Sequence, residues 1–189
     1  MFGAVLDTCV LWPSLQRDFL LSLAVENFYR PLWNDAILTE LELHEERKLV
    51  RRGMDPQTAQ RRASGLIAVM TRAFDDALVH GWEPLEGSFG LPDPDDEHVV
   101  AAAVVSNAGA LVTENLRHFP SHSMPRGLHV VGAAEFAANT CAVDPVRALA
   151  AVRQISSRHR DPAQTAEQLL DLLATRYKMH EAVELMLGA

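Results

Sequence analysis

Short apolar runs alternate with amphipathic stretches along this chain, and the two patterns predict different elements. Phe2 to Leu6 is a continuous apolar run stopped by Asp7-Thr8, the mark of a fully buried strand. Ala110 to Thr113 and Leu128 to Val131 read the same way. Tyr29 to Trp33 is a further strand candidate that Pro31 confines to a sheet edge, because proline cannot donate to a ladder. Between these runs the period changes to 3.6. Pro13 suits a first helical turn, and Phe19, Leu20, Leu23, Ala24 and Phe28 form the apolar stripe behind it. Asn34 or Asp35 can cap a helix carrying Ile37, Leu38 and Leu41 beside the charged Glu40, Glu42, Glu45 and Glu46, with Gly53 to end it. Asp55-Pro56 starts another, whose stripe Ala63, Leu66, Ile67, Met70, Phe74, Ala77 and Leu78 predicts helix as far as Gly81. Trp82 to Leu91 is loop-like, and Asp93-Pro94-Asp95-Asp96 signals a helix start before Val99–Val105.

Helices alternating with short buried strands predict an α/β protein with a central parallel β-sheet flanked by helices. In such sheets ligands sit outside the carboxyl ends of the strands, which is where Asp7 and Thr113-Glu114-Asn115 fall. From about Asp144 the pattern becomes purely helical, so we divide the chain into a catalytic domain, residues 1–139, and a small all-helical C-terminal extension, residues 140–189. Asp144-Pro145 and Asp161-Pro162 repeat the cap-plus-proline signal, and Gln164 stands at capping-box spacing from Asp161. Leu169, Leu170, Leu172 and Leu173, then Met179–Leu187, supply apolar stripes that must bury against the main domain, another copy or a partner.

Composition narrows the class. A chain of 189 residues with 48% hydrophobic and 22% charged content buries one sizeable core. No apolar run approaches the ~20 residues of a membrane span, and no basic segment precedes an apolar stretch at the N-terminus as a signal peptide requires. Cys9 and Cys141 make no disulfide framework and read as buried thiols in a reducing compartment. The expectation is a soluble cytoplasmic protein.

The net charge of −8 runs against the basic face usual in nucleic-acid binders. Its distribution changes that picture. Residues 140–189 are balanced, with six acids and six bases, so the acidic surplus lies in residues 1–139. Part of it is the candidate site, which a cation would neutralise. A local basic group also exists in Arg47, Lys48, Arg51, Arg52, Arg61 and Arg62. It reads either as a solvated face near a helix C-terminus or as a phosphate-tracking, RNA-binding rim.

The chemistry lies in the acids. Carboxylates at strand ends and helix starts add little to a core, since burying them is costly unless they are paired or bind metal. They do suit a hard divalent cation such as Mg²⁺ or Mn²⁺. Asp7, Glu40 and Asp96 fit as ligands, direct or through water; Asp93 can ligate or simply cap the next helix, and Asp95 reads as solvated. Glu40 has the alternative reading of one exposed glutamate among four. Thr8 and Thr113 can orient carboxylates or water, or serve as local backbone partners. No glycine-rich phosphate loop, dinucleotide fingerprint, phosphatase Asp-x-Asp pair, thiol-protease signature or zinc spacing among His122, His129, His159 and His180 is present.

Taken in order, Phe2-Gly-Ala-Val-Leu-Asp7-Thr8, Thr39-Glu40-Leu41, Leu91-Pro-Asp-Pro-Asp-Asp96-Glu-His-Val-Val-Ala-Ala and Leu111-Val-Thr113-Glu-Asn115-Leu-Arg-His118-Phe119-Pro120 resemble the PIN domain over about residues 1–135. More narrowly they resemble VapC-type toxin ribonucleases of type II toxin–antitoxin systems, and the tail resembles the helical extension of a subset of these. The resemblance implies Mg²⁺- or Mn²⁺-dependent endoribonuclease activity on structured RNA such as tRNA or rRNA, a cognate antitoxin and a homodimer. It places Asp7, Glu40, Asp96, Asn115 and His118 in the catalytic site, with Asp7, Glu40, Asp93 and Asp96 about the metal. Two positions depart from the family pattern: His118 replaces an acid, and Asn115 stands where many relatives have aspartate. His118 is either a substitution that weakens one metal position or a phosphate-contacting or proton-transferring group. Besides the active nuclease, two other readings remain: a degenerate PIN fold that binds RNA or protein without cutting, and a metal-dependent phosphatase or DNA nuclease.

Overall fold

The computed structural model describes residues 2–158 and 163–189. The apolar run after Phe2 is strand β1 (Gly3–Leu6), its last three residues buried. β2 (Arg30–Leu32), β3 (Ala110–Val112) and β4 (His129–Val131) join it in an all-parallel sheet of order β2-β1-β3-β4. β2 lies outermost among the named strands, where Pro31 costs no ladder bond. In register, Val5 pairs with Leu32 on one side and Leu111 on the other, and Leu111 pairs in turn with Val130.

The chain leaves β1 towards β2 but leaves β3 towards β4, so the strand order reverses between β1 and β3. That crevice is the topological switch point at which open α/β sheets place their ligands. Asp7 and Thr113 are the residues immediately beyond these two strands. Their backbones remain tied to the sheet, Asp7 N donating to Val112 O at 3.0 Å and Thr113 N to Val131 O at 3.0 Å.

Helices α1 (Thr8–Leu11) and α2 (Ser14–Val25) follow β1, with Pro13 capping α2 rather than lying inside it. The ambiguity at the next helix resolves to Asn34, whose Oδ1 accepts from Ile37 N at 2.9 Å and caps α3 (Asp35–Arg51). Asp55 caps α4 (Pro56–Ala73) by accepting from Thr58 N at 3.0 Å. The predicted continuation of α4 to Gly81 is corrected. The helix stops at Ala73, and residues 77–79 run extended beside Trp33, with Trp33 N donating to Ala77 O at 3.1 Å and Val79 N to Trp33 O at 2.8 Å. The exchange of bonds with Trp33 gives the backbone of residues 77–79 its partners in place of further helical turns.

α5 (Glu97–Val105) packs against β1 and β3 and is apolar on nearly every side. Its first residue, Glu97, is buried and accepts from Phe89 N and Leu91 N, each at 3.1 Å, fastening the loop before it. Glu45 of α3 is buried too. It receives Lys48 Nζ and lies 3.8 Å from Arg17 Nη1 of α2, locking these two helices together. Cys141 is buried and Cys9 half-buried, and neither forms a disulfide.

Helices α6 (Ala133–Cys141), α7 (Pro145–Arg158), α8 (Ala166–Tyr177) and α9 (His180–Leu187) complete the chain. Asp144 caps α7, accepting from Arg147 N at 3.1 Å. Asp161 and Pro162 lie outside the described residues, and the capping box of α8 is Thr165 with Gln168. The leucine stripe buries within the same protomer: Leu169, Leu170, Leu173, Met179 and Met186 belong to one hydrophobic cluster with Val5 and Leu111. α6 against α9 and α2 against α7 are the principal contacts. Among the described residues no helix is long and apolar enough to cross a membrane.

A shared core has a thermodynamic consequence. Leu169→Ala should cost about 3 kcal/mol and move a single unfolding transition of the whole chain. A separate early transition in urea, with the sheet left intact, would mean that the C-terminal helices fold as an independent unit.

Candidate metal centre

Each carboxylate at the switch point is held by a different partner. Asp7 is buried at the end of β1. Its Oδ2 accepts from Thr113 Oγ1 at 2.6 Å and from Cys9 Sγ at 3.1 Å. Burial, with the Asp7 charge beside it, pushes the Cys9 thiol up to about 12, so it stays protonated and donates. Thr113 Oγ1 in turn receives Asn115 N at 3.0 Å, and Glu114 N donates to Cys9 Sγ at 3.2 Å. The loop beyond β3 is thereby fixed against the end of β1.

Glu40 lies one and a half turns into α3. Thr8 Oγ1 donates to its Oε2 at 2.7 Å, and His98 Nε2 stands 3.5 Å from its Oε1. Burial by itself would raise the Glu40 carboxyl; the bonds from His98 and Thr8 outweigh it and hold the group below its ordinary value. His98 did not emerge from the sequence, yet its orientation is specified by the fold. Asn34 Oδ1 is committed to the helix cap, so its amide nitrogen faces His98, 3.3 Å from Nδ1 and 3.1 Å from the carbonyl. An amide nitrogen only donates, which leaves Nδ1 as acceptor and puts the ring proton on Nε2, toward Glu40. Trp82 packs edge-on against His98 at 5.9 Å and is itself fastened by Nε1 donating to Asp35 Oδ1 at 2.9 Å.

Asp93, Asp96 and His118 form the tightest cluster, each offering one ligand atom within 4.8 Å of the others. Asp93 Oδ1 accepts from Asp95 N at 3.2 Å, a local cap, while its Oδ2 stands 3.7 Å from His118 Nδ1. Asp95 is exposed. His118 Nδ1 lies 2.6 Å from Asp96 Oδ2, and Arg117 Nε donates to His118 Nε2 at 3.3 Å. Since the carboxylate and Nε2 both accept here, Nδ1 carries the proton, and it would have to give that proton up to ligate a cation. Asn115 builds the short turn that delivers this imidazole, its carbonyl accepting from His118 N at 2.8 Å. Burial first, then the charges of Asp7 and Asp93, push the Asp96 carboxyl above its ordinary range against the pull of His118.

The donor set fits a divalent cation. Two carboxylates and an imidazole converge, a third carboxylate is close enough to raise Asp96, and this mutual repulsion is what a cation relieves.

The basic residues divide. Arg47, Arg51, Arg52, Arg61 and Arg62 are exposed, and Arg61 Nη2 donates to Thr58 Oγ1 at 2.8 Å on the first turn of α4. Lys48 is half-buried, its ammonium bonded to Glu45 and, at 3.0 Å, to Ser14 Oγ. His122, His129 and His180 are exposed and take no part in the centre; His159 lies outside the described residues.

A carboxyl raised in the native state favours folding while it is protonated, and that contribution is lost as pH rises through the raised value. In chelator, Asp96→Asn should therefore raise the Tm at neutral pH and not at a pH below the carboxylate range. Mn²⁺ should raise the wild-type Tm by mass action and leave the variant unchanged. Equal shifts in both proteins in a thermal titration would argue against a cation at these carboxylates.

Comparison with protein families agrees with this geometry. The PIN domain profile matches residues 3–117, and the profile of the VapC50 C-terminal domain matches residues 133–186. No curated protein and no solved structure is found to match the chain. The chain therefore belongs to the PIN-domain family, with a VapC50-type C-terminal domain, and its Asp93–Asp96–His118 triad supports a metal-dependent nuclease role.

Proposed function

We propose that this protein is a cytoplasmic Mg²⁺- or Mn²⁺-dependent endoribonuclease, the toxin of a toxin–antitoxin pair, which cleaves structured RNA such as tRNA or rRNA and so inhibits translation. The observation that carries this reading is the convergence of Asp93, Asp96 and His118 within 4.8 Å, beside Asp7 at the reversal of strand order. Family membership supports the toxin role, and with it a cognate antitoxin and a homodimeric toxin.

Asp96, Asp93 and His118 would hold the metal, with Asp7 completing the charge. A bound divalent cation supplies an acidified water and stabilises charge on the attacked phosphate. The remaining work falls to the side chains. Thr113 and Cys9 both bond Oδ2 of Asp7, which orients its other oxygen for the cation. Glu40, held below its ordinary pKa, is a poor proton acceptor at neutral pH; it suits orienting water or a metal-bound water more than general acid–base work. His98 and Thr8 keep it ionised and aimed.

A second reading has its own support. His118 Nδ1 already occupies Asp96 Oδ2 at 2.6 Å, as in a PIN fold that binds RNA or a protein partner without cutting. His118→Asp separates the two: a large gain in cleavage supports the degenerate site, and little change supports a centre that already works with imidazole.

Purified protein incubated with total RNA should cut with Mg²⁺ or Mn²⁺, not in chelator, and the cuts should vanish in Asp7→Asn and Asp96→Asn. Cleavage that persists in chelator or in both variants would sink the mechanism. His98→Gln should lower kcat about 10–100-fold, the scale of losing an outer-sphere orienting group, with little change in KM. An unchanged kcat would mean that Glu40 needs no help from the imidazole.

A further inference from the structure

We infer that a cleft shared by Trp12 and the start of α2, the C-terminal end of α3 and α8 binds the single-stranded RNA flanking the cleaved bond, with Trp12 as a stacking platform and Arg52 and Arg176 as phosphate contacts. This rests on the endoribonuclease reading above and extends it to the C-terminal helices, which supply one wall. The cleft encloses about 380 Å³, within the range of small-ligand pockets.

Its chemistry is unlike the rest of the surface. Among the described residues lining it are three cations, Lys48, Arg52 and Arg176, and one carboxylate, Asp18, which stands 3.8 Å from Arg17 Nε. That local excess of positive charge occurs in a protein whose formal net charge is −8. Lys48 is braced by Ser14 and Glu45 at the base of the cleft, whereas Arg52 and Arg176 are exposed. Two aromatic rings join them. Trp12 keeps 39% of its surface exposed, which is unusual for the largest apolar side chain, and Arg176 lies 5.6 Å over the ring of Tyr177. Aromatic faces interleaved with cations are what single-stranded nucleic acid uses, since every base offers a π-face and every nucleotide a charge.

The cleft also lies along the same helix as Glu40. Glu40, His44 and Lys48 are spaced four residues apart and so share one face of α3, each step rising about 6 Å. His44 stands between them, its ring 6.1 Å from that of Trp12. A strand cut beside Glu40 would pass His44 and reach Trp12 within a few nucleotides. This continuity favours RNA over an acidic protein segment, which would have no reason to end at the carboxylates.

The test uses the full chain carrying Asp96→Asn, so that binding is read without cleavage, and a labelled oligouridylate as probe. Fluorescence anisotropy with Arg52→Ala/Arg176→Ala added should show about tenfold weaker binding and a salt dependence shallower by about 0.7 per lost phosphate contact. Trp12→Ala should also weaken binding about tenfold and abolish the quenching of tryptophan fluorescence on RNA addition. Unchanged affinity and salt slope in the double variant, while the parent binds, would overturn the cleft alone. So would loss of binding to an acidic peptide with none to RNA. If the parent binds no RNA and the wild type cuts none, the ribonuclease reading itself fails.

Discussion

Carboxylates brought together from the end of β1 and the start of α5 repel one another, and the arrangement of this protein follows from how that repulsion is contained. Asp7 and Asp96 are close enough for one to raise the other. Neither is left to solvent: Asp7 takes Thr113 and Cys9, Asp96 takes His118, and Glu40 takes Thr8 and His98. Apart from Cys9, each partner comes from a segment distant in sequence. The bonds that hold these acids in place therefore also tie β1 to the loop after β3, and α3 to the start of α5. Asp7 and Asp93 together raise Asp96, and a divalent cation is a ligand that would relieve that repulsion.

The parts legible in the sequence were those governed by local rules. A short apolar run ending in Asp7 can hardly be anything but a buried strand with its reactive group at the carboxyl edge, and Pro31 could sit only at the edge of a sheet. Asn34, Asp55 and Asp144 declare helix starts through their own capping chemistry. Periodicity failed where two structures share one pattern. Phe74, Ala77 and Leu78 continue the stripe of α4, but their backbone finds better bonds beside Trp33. His98, Glu97 and Glu45 were invisible as functional or structural groups because what defines each is a partner far along the chain. A histidine inside an apolar run says nothing of Asn34, 64 positions away in sequence. Glu45 likewise looks solvated among its neighbours until Arg17 is folded against it.

The C-terminal helices show the same division. Their leucine stripes required burial, but the pattern left open whether the main domain, a second copy or a partner would provide it. The structure gives intramolecular packing against α2 and α6. That choice uses up the apolar faces and leaves the polar side of α8, with Arg176 and Tyr177, beside Trp12 and Arg52.

Asn34 does two things with one side chain: its oxygen caps α3 and its nitrogen sets the ring of His98. The two duties cannot be separated, because the amide is planar and turning it for one partner turns it away from the other. The first turn of α3 is thus wired to the aim of Glu40. Fraying of that turn, an event far smaller than unfolding, would release the amide, free the imidazole to change its proton, and loosen the carboxylate. The aim of Glu40 is then tied to the stability of one helical turn rather than to that of the core.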